Sequence, residues 1–555
     1  MTPQAIFDRM IQDGDVVLDR LDRHAEDRPD KLFVHHGDSD TGLSYAAFRD
    51  RADAMAAGLA ALGVAPGDHV AVHSRDALTT AVAMFAIWRA GGVFAPVNYN
   101  LTGDFLTYQL ADTAPKVLIA DAAGVAAIAA QRAGMPDFVL VGPGGDVEAP
   151  EGDTVPRVAL GPFSPAALIY TSGTTGPAKG VKLGHRWINQ YCFNPRVLNT
   201  AEDVMHCDLP LYHVGGAFSL LARAAWLGAS CGLWDRFSAT TYWDRIASLG
   251  ASVTTLLDVM VPHVMSQPER PDDSANTLNK IHIQPYTPRH HAFAERFGID
   301  FMTVGFGQTE SGSSFSAIID EFPDRQATPA ALWKGLSKDD YRATARALGR
   351  PLFDGATDLP KGLMGAPSPL FEVAVLDDED SPVAEGQPGQ FCLRPRFPGL
   401  ILQEYINKPE ATAKVLRNCW FHTGDAIRRI DAESDLHAFV DRMGGFFRVR
   451  GENVSSFEVE SAMLRLPEVR AAAAIPVPAR AGEEDDIAVF LELEAGRTLD
   501  EAAVRAHAQA AMPRYMQPQY IRFVAALPVT PTSKIEKYKL RAALMAELGE
   551  REERA

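Results

Sequence analysis

The chain has 555 residues, 46% of them hydrophobic and 22% charged, with a formal charge of -18 at neutral pH. That length exceeds one ordinary core and calls for a large unit plus at least one smaller one. The negative balance disfavours a general nucleic-acid or anionic-membrane surface, but leaves room for a local basic pocket around an anionic ligand. Cys192, Cys207, Cys231, Cys392 and Cys419 form no CxxC pair and no cluster with histidine, so neither a zinc site nor a disulfide framework is expected. The opening residues lack a basic region followed by an apolar run. The most apolar early stretch, AVAMFAIWRAGGVFAPV, is interrupted by Arg89 and a Gly-Gly pair before it reaches membrane-spanning length. A cytoplasmic protein without a transmembrane segment is expected.

From Leu43 to Val97, Ala-rich helical text (FRDRADAMAAGLAALG) alternates with short apolar strands (HVAVHS), and YQLADTAPKVLIAD repeats that grammar. Such alternation predicts parallel strands covered by helices. The strand AALIY then runs into IYTSGTTGPAKG, which places a Ser/Thr/Gly loop at the carboxyl edge of a sheet, where open α/β folds bind ligands. This loop has the composition of a phosphate cradle but fails the P-loop NTPase spacing. Ala178 occupies the second glycine position, and Gly180 stands where a magnesium-binding hydroxyl belongs. Its glycines, backbone N–H groups and hydroxyls still suit phosphates, with Lys179 adding a point charge.

A second α/β unit is predicted over about Val204–Gly312, from DVMHCDLPLY through FSLLARAAWLG and SVTTLLDVM to FMTVGFGQTESG. Between Ile319 and Leu363 a charged segment contains LWKGLSKDDYRATARALG, a surface helix suited to an oligomer contact, such as a homodimer interface, or to a lid. From Glu372 to Asp425 the text changes to short strands and turns, predicting an antiparallel, barrel-like subdomain. After Asp441-Arg442 comes a small α+β unit with strands at FFRVRG and AVFLEL, helices at SSFEVESAML and EAAVRAHAQAA, and a basic end. The expected division is therefore residues 1–440 and 441–555.

Five islands, YTSGTTGPAKG, LPLYHVGG, GFGQTE, WFHTGD and DRMGGFFRVRGENVSS, followed by LPVTPTSKIEKYKLR, occur in order along the chain. This set resembles the adenylate-forming (AMP-binding) superfamily of acyl- and aryl-CoA synthetases, peptide-synthetase adenylation domains and firefly luciferase. The resemblance covers essentially the whole chain. It implies a large multi-subdomain N-terminal α/β region and a small mobile C-terminal α+β domain. It also implies two half-reactions: a carboxylic acid and ATP give acyl-AMP and pyrophosphate, and coenzyme A then takes the acyl group and releases AMP.

By resemblance, Thr171, Ser172, Gly173, Thr174, Thr175, Gly176 and Lys179 hold the β- and γ-phosphates, Thr309 contacts the α-phosphate and Glu310 holds Mg²⁺, a cation that prefers hard oxygen ligands. Asp425 and Arg442 take the ribose hydroxyls. His213 lies between the acyl and nucleotide sites, against the bland reading of a packed histidine. Lys534 bridges the acyl carboxylate and the α-phosphate during adenylation, with Lys537 and Lys539 as rival assignments. Four departures stand out. Ser533 precedes the lysine where the family has glycine, which puts loop geometry rather than chemistry in question. Gly444-Gly445 occupies the hinge, usually Asp or Lys. A longer charged segment lies at 319–363. IHIQPYTPRHHAFAERFG replaces a glycine-rich segment, which either sets Tyr286 to stack near adenine or reshapes the floor of the acid pocket. This last feature, with GENVSS and GLILQEY, resembles the carnitine-type and fatty-acid-transport-type CoA ligases.

Two alternatives stay open: adenylation with transfer to a carrier protein or another nucleophile, and a non-catalytic interaction module on the same fold. The Gly444-Gly445 pair carries a first prediction. Gly444→Pro restricts backbone torsions at the hinge and is expected to slow coupled acyl-CoA turnover. Wild-type rates in both half-reactions and in turnover would remove the hinge assignment.

Overall fold

The computed structural model describes residues 1–142, 158–171, 178–258, 260–360, 362–377, 379–442, 446–450, 452–479, 484–528 and 535–552. The chain divides into two compact units. One comprises Met1–Tyr99, Leu110–Ile169 and Gly180–Asp441; the other comprises Asn100–Gln109, Tyr170–Lys179 and Arg442–Ala555.

A seven-stranded sheet has the order Glu404–Tyr405, Lys179–Gly184, Pro165–Thr171, Val93–Pro96, His69–His73, Val117–Ala120, Val139–Val141. Its central strands run parallel. Val93–Pro96 and Val117–Ala120 are buried at every residue, so their continuous apolar runs are those of strands covered on both faces. The helix Ala77–Arg89 starts where Asp76 accepts a hydrogen bond from the Thr79 backbone N–H, and every residue from Ala77 to Trp88 is buried. A helix apolar all round belongs inside a core. The Trp88 indole N–H donates to the Ala166 carbonyl at 2.7 Å and so ties this helix to the sheet. The helix Tyr45–Ala61, capped by Ser44, contributes Tyr45 and Phe48, which pack with Phe33 and Phe85.

The second sheet has parallel strands Ser230–Leu233, Val204–Cys207, Val253–Leu257, Lys280–Gln284 and Phe301–Gln308. Phe301–Gln308 then turns back into Gly312–Asp320 as an antiparallel hairpin. Leu363–Pro367 joins that hairpin to the antiparallel strands Leu436–Arg442, Trp420–Asp431, Gly389–Pro395 and Phe371–Leu376. The strands read from the sequence as a barrel-like subdomain thus extend the second sheet, and this carries the WFHTGD strand to the GFGQTE turn.

The charged segment contains the helix Lys338–Ala347, capped by Ser337. It is anchored: Tyr341 stacks on Phe301 with ring centroids 4.1 Å apart, Lys338 meets Asp300 at 2.8 Å, and Arg342 meets Asp320 at 2.6 Å. All five cysteines are free thiols. Among the described residues, no helix is long and apolar enough to cross a membrane.

In the smaller unit, Val469–Pro478 and Tyr520–Val524 flank Asp485–Leu493. The helices Ser456–Met463, Glu501–Ala511 and Lys537–Glu552 accompany this sheet. Val459, Met463, Val489, Leu491 and Val504 form its core. Lys537 is engaged within the unit, 2.7 Å from Ser456 Oγ and 2.7 Å from Glu460 Oε1. Lys539 pairs with Glu536 at 2.6 Å.

Candidate active site

The hairpin register Gln308↔Gly312 leaves Thr309, Glu310 and Ser311 as the turn. Gly312 has φ +67°, and a Cβ there would lie 2.0 Å from Gln190 Oε1, so both backbone and space demand glycine. The Glu310 carbonyl accepts from the Leu402 backbone N–H at 2.7 Å, and its Oε1 accepts from the Tyr405 hydroxyl at 2.9 Å. Burial and the Glu310 charge raise the Tyr405 pKa, so the phenol remains the donor. Tyr405 lies opposite Val181 on the strand that follows the Ser/Thr/Gly loop. One phenol therefore ties the acidic turn of the second sheet to the edge of the first. Glu310 sits on a hairpin turn.

Asp425, on Trp420–Asp431, is 3% exposed. Gln308 Nε2 donates to its Oδ2 at 2.6 Å and to the Thr423 carbonyl at 3.3 Å, while Thr423 Oγ1 accepts from the Asp425 backbone N–H at 3.1 Å. The carboxylate is thus held by a side chain from the neighbouring hairpin strand, and the Asp425 backbone by Thr423. Gln308 Oε1 and Ser311 Oγ are buried without a hydrogen-bond partner. The orphaned Oε1, on the side chain that donates to Asp425, suits a ligand with hydroxyl or amino donors.

His213 is half-buried, its ring 4.6 Å from that of Tyr212, immediately before a π-helical segment over Gly215–Ala222. Such segments recur at functional sites. A Cβ on Gly216 would lie 2.6 Å from the Leu209 carbonyl oxygen, so glycine lets the LPLYHVGG turn close on itself. On the strand leading in, His206 Nε2 lies 3.3 Å from Asp208 Oδ2 with both residues buried. Burial pushes His206 down to about 3 and Asp208 up to about 7, favouring the neutral form of each.

Gln308, Thr309, Glu310 and Asp425 are therefore brought together, with Tyr405 and Gln308 as supporting residues to which the sequence reading gave no role. Thr171 ends the strand Pro165–Thr171, and Lys179 begins Lys179–Gly184. Ser172, Gly173, Thr174, Thr175, Gly176, Gly444, Gly445 and Lys534 lie outside the described residues. Arg442 ends its strand, and its side chain is likewise outside the description. Tyr286 is 3% exposed and belongs to the core cluster that includes Ile283, Phe293 and Leu359.

An acidic hairpin turn and an oriented aspartate, in this order on one extended sheet, agree with the adenylate-forming resemblance. The AMP-binding enzyme family model matches residues 21–400, and that of the AMP-binding enzyme C-terminal domain matches residues 458–534; the chain belongs to this family. It is 29% identical to a medium/long-chain-fatty-acid–CoA ligase of Mycobacterium tuberculosis, covering 95% of this chain and 85% of that protein. It is 26% identical to a crotonobetaine/carnitine–CoA ligase of Salmonella paratyphi A, covering 90% and 93%, which agrees with the branch read from the sequence. Among solved structures, it resembles the o-succinylbenzoate CoA synthetase of Bacillus subtilis, with TM-score 0.75, 18% identity and coverage of 94% and 98%. The amide bond synthetase of Marinactinospora thermotolerans gives TM-score 0.76 with 21% identity, covering 94% and 99%.

Proposed function

We propose that the protein is an AMP-forming acid–thiol ligase. An oxygen of the substrate carboxylate attacks the α-phosphorus of ATP, releasing pyrophosphate and leaving acyl-AMP. The thiol of coenzyme A then adds to the acyl carbonyl carbon and AMP departs with the bonding electrons. The observation carrying this reading is the Gln308–Asp425 hydrogen bond beside the Thr309-Glu310 turn, in a chain of this family.

Asp425, held in place by Gln308, accepts hydrogen bonds from the two ribose hydroxyls and sets the nucleotide's position relative to Thr309, whose hydroxyl faces the α-phosphate. Carboxylate and hydroxyl oxygens without nitrogen or sulfur donors make the Thr309-Glu310 turn a fit for Mg²⁺. Bound there, the ion supplies charge neutralisation for the triphosphate. Tyr405 keeps Glu310 in one orientation. Thr171 to Lys179 enclose the terminal phosphates, Arg442 reaches the ribose, and His213 orients the acid.

With a competent acid, ATP, Mg²⁺ and coenzyme A, pyrophosphate, AMP and acyl-CoA are expected in equal amounts, checked by product mass and phosphate analysis. ADP and inorganic phosphate as stoichiometric products would overturn adenylation. The likeness to an amide bond synthetase favours a second reading, in which the acyl-AMP passes to another nucleophile. Acyl-CoA formed without amine or carrier protein decides against it, and absence of any turnover points to the non-catalytic reading.

A further inference from the structure

Within the larger unit, a cavity of about 60 Å³ opens beside Gly305, Phe306 and Gly307, the residues that lead into the Gln308–Glu310 turn. That volume accommodates about four to six water-sized atoms. Its wall carries two guanidinium groups, Arg223 and Arg350, and no aspartate or glutamate among the described residues. The two arginines differ in their surroundings. Arg350 is used by the fold, donating to the Asn194 carbonyl at 2.7 Å and to Asn194 Oδ1 at 2.8 Å. Arg223 is 3% exposed, and its Nε and Nη2 have no hydrogen-bond partner. The carboxylate closest in influence, Asp203, is committed to Lys280 at 2.7 Å and to Ser252 Oγ at 2.7 Å. A buried, unpaired guanidinium is costly unless a ligand completes it, and a planar fork of N–H donors matches a bidentate oxyanion.

We propose that Arg223 determines acid specificity by pairing with a second oxyanion, carboxylate or sulfonate, at the far end of the substrate acid. This rests on the acid-activation reading above. The reacting carboxylate lies toward Thr309, the tail occupies the cavity, and its terminal charge meets Arg223. A simple fatty acid of the same length leaves the guanidinium unpaired and is rejected. Where a site is built for a polar group, the analogue lacking that group loses far more than a methylene's worth of selectivity.

Butyrate is compared with succinate, hexanoate with adipate and octanoate with suberate, alongside sulfo-carboxylates of matching length. Wild type, Arg223→Lys and Arg223→Met are each assayed by acid-dependent ATP–pyrophosphate exchange and by calorimetric binding of the acids alone. The wild type is expected to prefer the best oxyanion-tailed acid over its fatty-acid partner by at least about 10²-fold in kcat/KM. Arg223→Lys should retain part of that preference and Arg223→Met should lose it. Comparing carboxylate and sulfonate arms identifies the anion. In the absence of acid, Arg223→Met is expected to melt roughly 2 °C or more higher, because an uncompensated charge has left the interior; a merely structural arginine would give the opposite. Exchange driven best by fatty acids and unchanged in Arg223→Met overturns the inference and leaves the ligase reading standing. Oxyanion-tailed acids that bind through Arg223 without supporting exchange sustain the inference and remove the ligase reading. Neither binding nor exchange removes both.

Discussion

Lys534→Ala is expected to slow acyl-AMP formation by about 10²-fold or more, the order of loss seen when a preorganised electrostatic donor is removed from a transition state. The attack of a carboxylate on the α-phosphorus brings two anions together, and a cation positioned only for that step lowers its barrier selectively. Thioester formation from supplied acyl-AMP should change much less, since no phosphorus is attacked there. The neighbouring lysines supply the contrast. Lys537 is held by Ser456 and Glu460, so Lys537→Ala is expected to lower the stability of the smaller unit while leaving the ratio of the two half-reactions intact. Lys539 forms a three-residue-spaced surface pair with Glu536, which contributes little to stability, and Lys539→Ala should be close to wild type. Separate rates for each half-reaction, with melting curves, decide the assignment. Normal adenylation in Lys534→Ala rejects it, and equal loss in both steps points to damaged folding or docking.

Much of the fold is written locally. Val93–Pro96 and Val117–Ala120 are short, continuously apolar runs between helical segments, and burial on both faces is the only environment that accepts them. The order of motifs likewise shows which residue types are available for chemistry. Their arrangement is a different matter. Gln308 meets Asp425 across 117 residues, and Tyr405 meets Glu310 across 95. The first contact depends on Leu363–Pro367 joining two groups of strands, and the second on Glu404–Tyr405 pairing with the other sheet; no local pattern announces either. Tyr286, read from the sequence only as a replacement for a small residue, belongs to the same buried cluster as Phe293 and Leu359. Arg223 did leave a signal: it is the lone charge in the apolar run FSLLARAAWLG. Periodicity assigned that run to a helix, yet only the cavity showed that its charge had been left without a partner.

Asp425→Ala is expected to lower kcat/KM for ATP by about 10²–10⁴-fold. Two hydrogen bonds to a charged acceptor are lost, each worth roughly 1.5–3 kcal/mol, and the Gln308 amide is left without its carboxylate. Asp425→Asn retains an acceptor oxygen and should fall less, by roughly 10-fold, because the charge-assisted part of each bond is removed. Gln308 acts through Asp425 and is a positioning residue, so Gln308→Ala should raise KM for ATP more than it lowers kcat. Gln308→Glu sets a second carboxylate where the present contact is 2.6 Å and should be worse than alanine, since like charges that close cannot both ionise without cost. Calorimetric titration with AMP gives a readout independent of turnover, and melting curves separate lost binding from lost folding. The double variant Gln308→Ala/Asp425→Ala is the decisive measurement. If Gln308 serves only to aim Asp425, the pair should bind AMP no more weakly than Asp425→Ala alone; a further loss of tenfold or so on adding Gln308→Ala would mean that Gln308 contacts the nucleotide itself, with its orphaned Oε1 as the atom that does so.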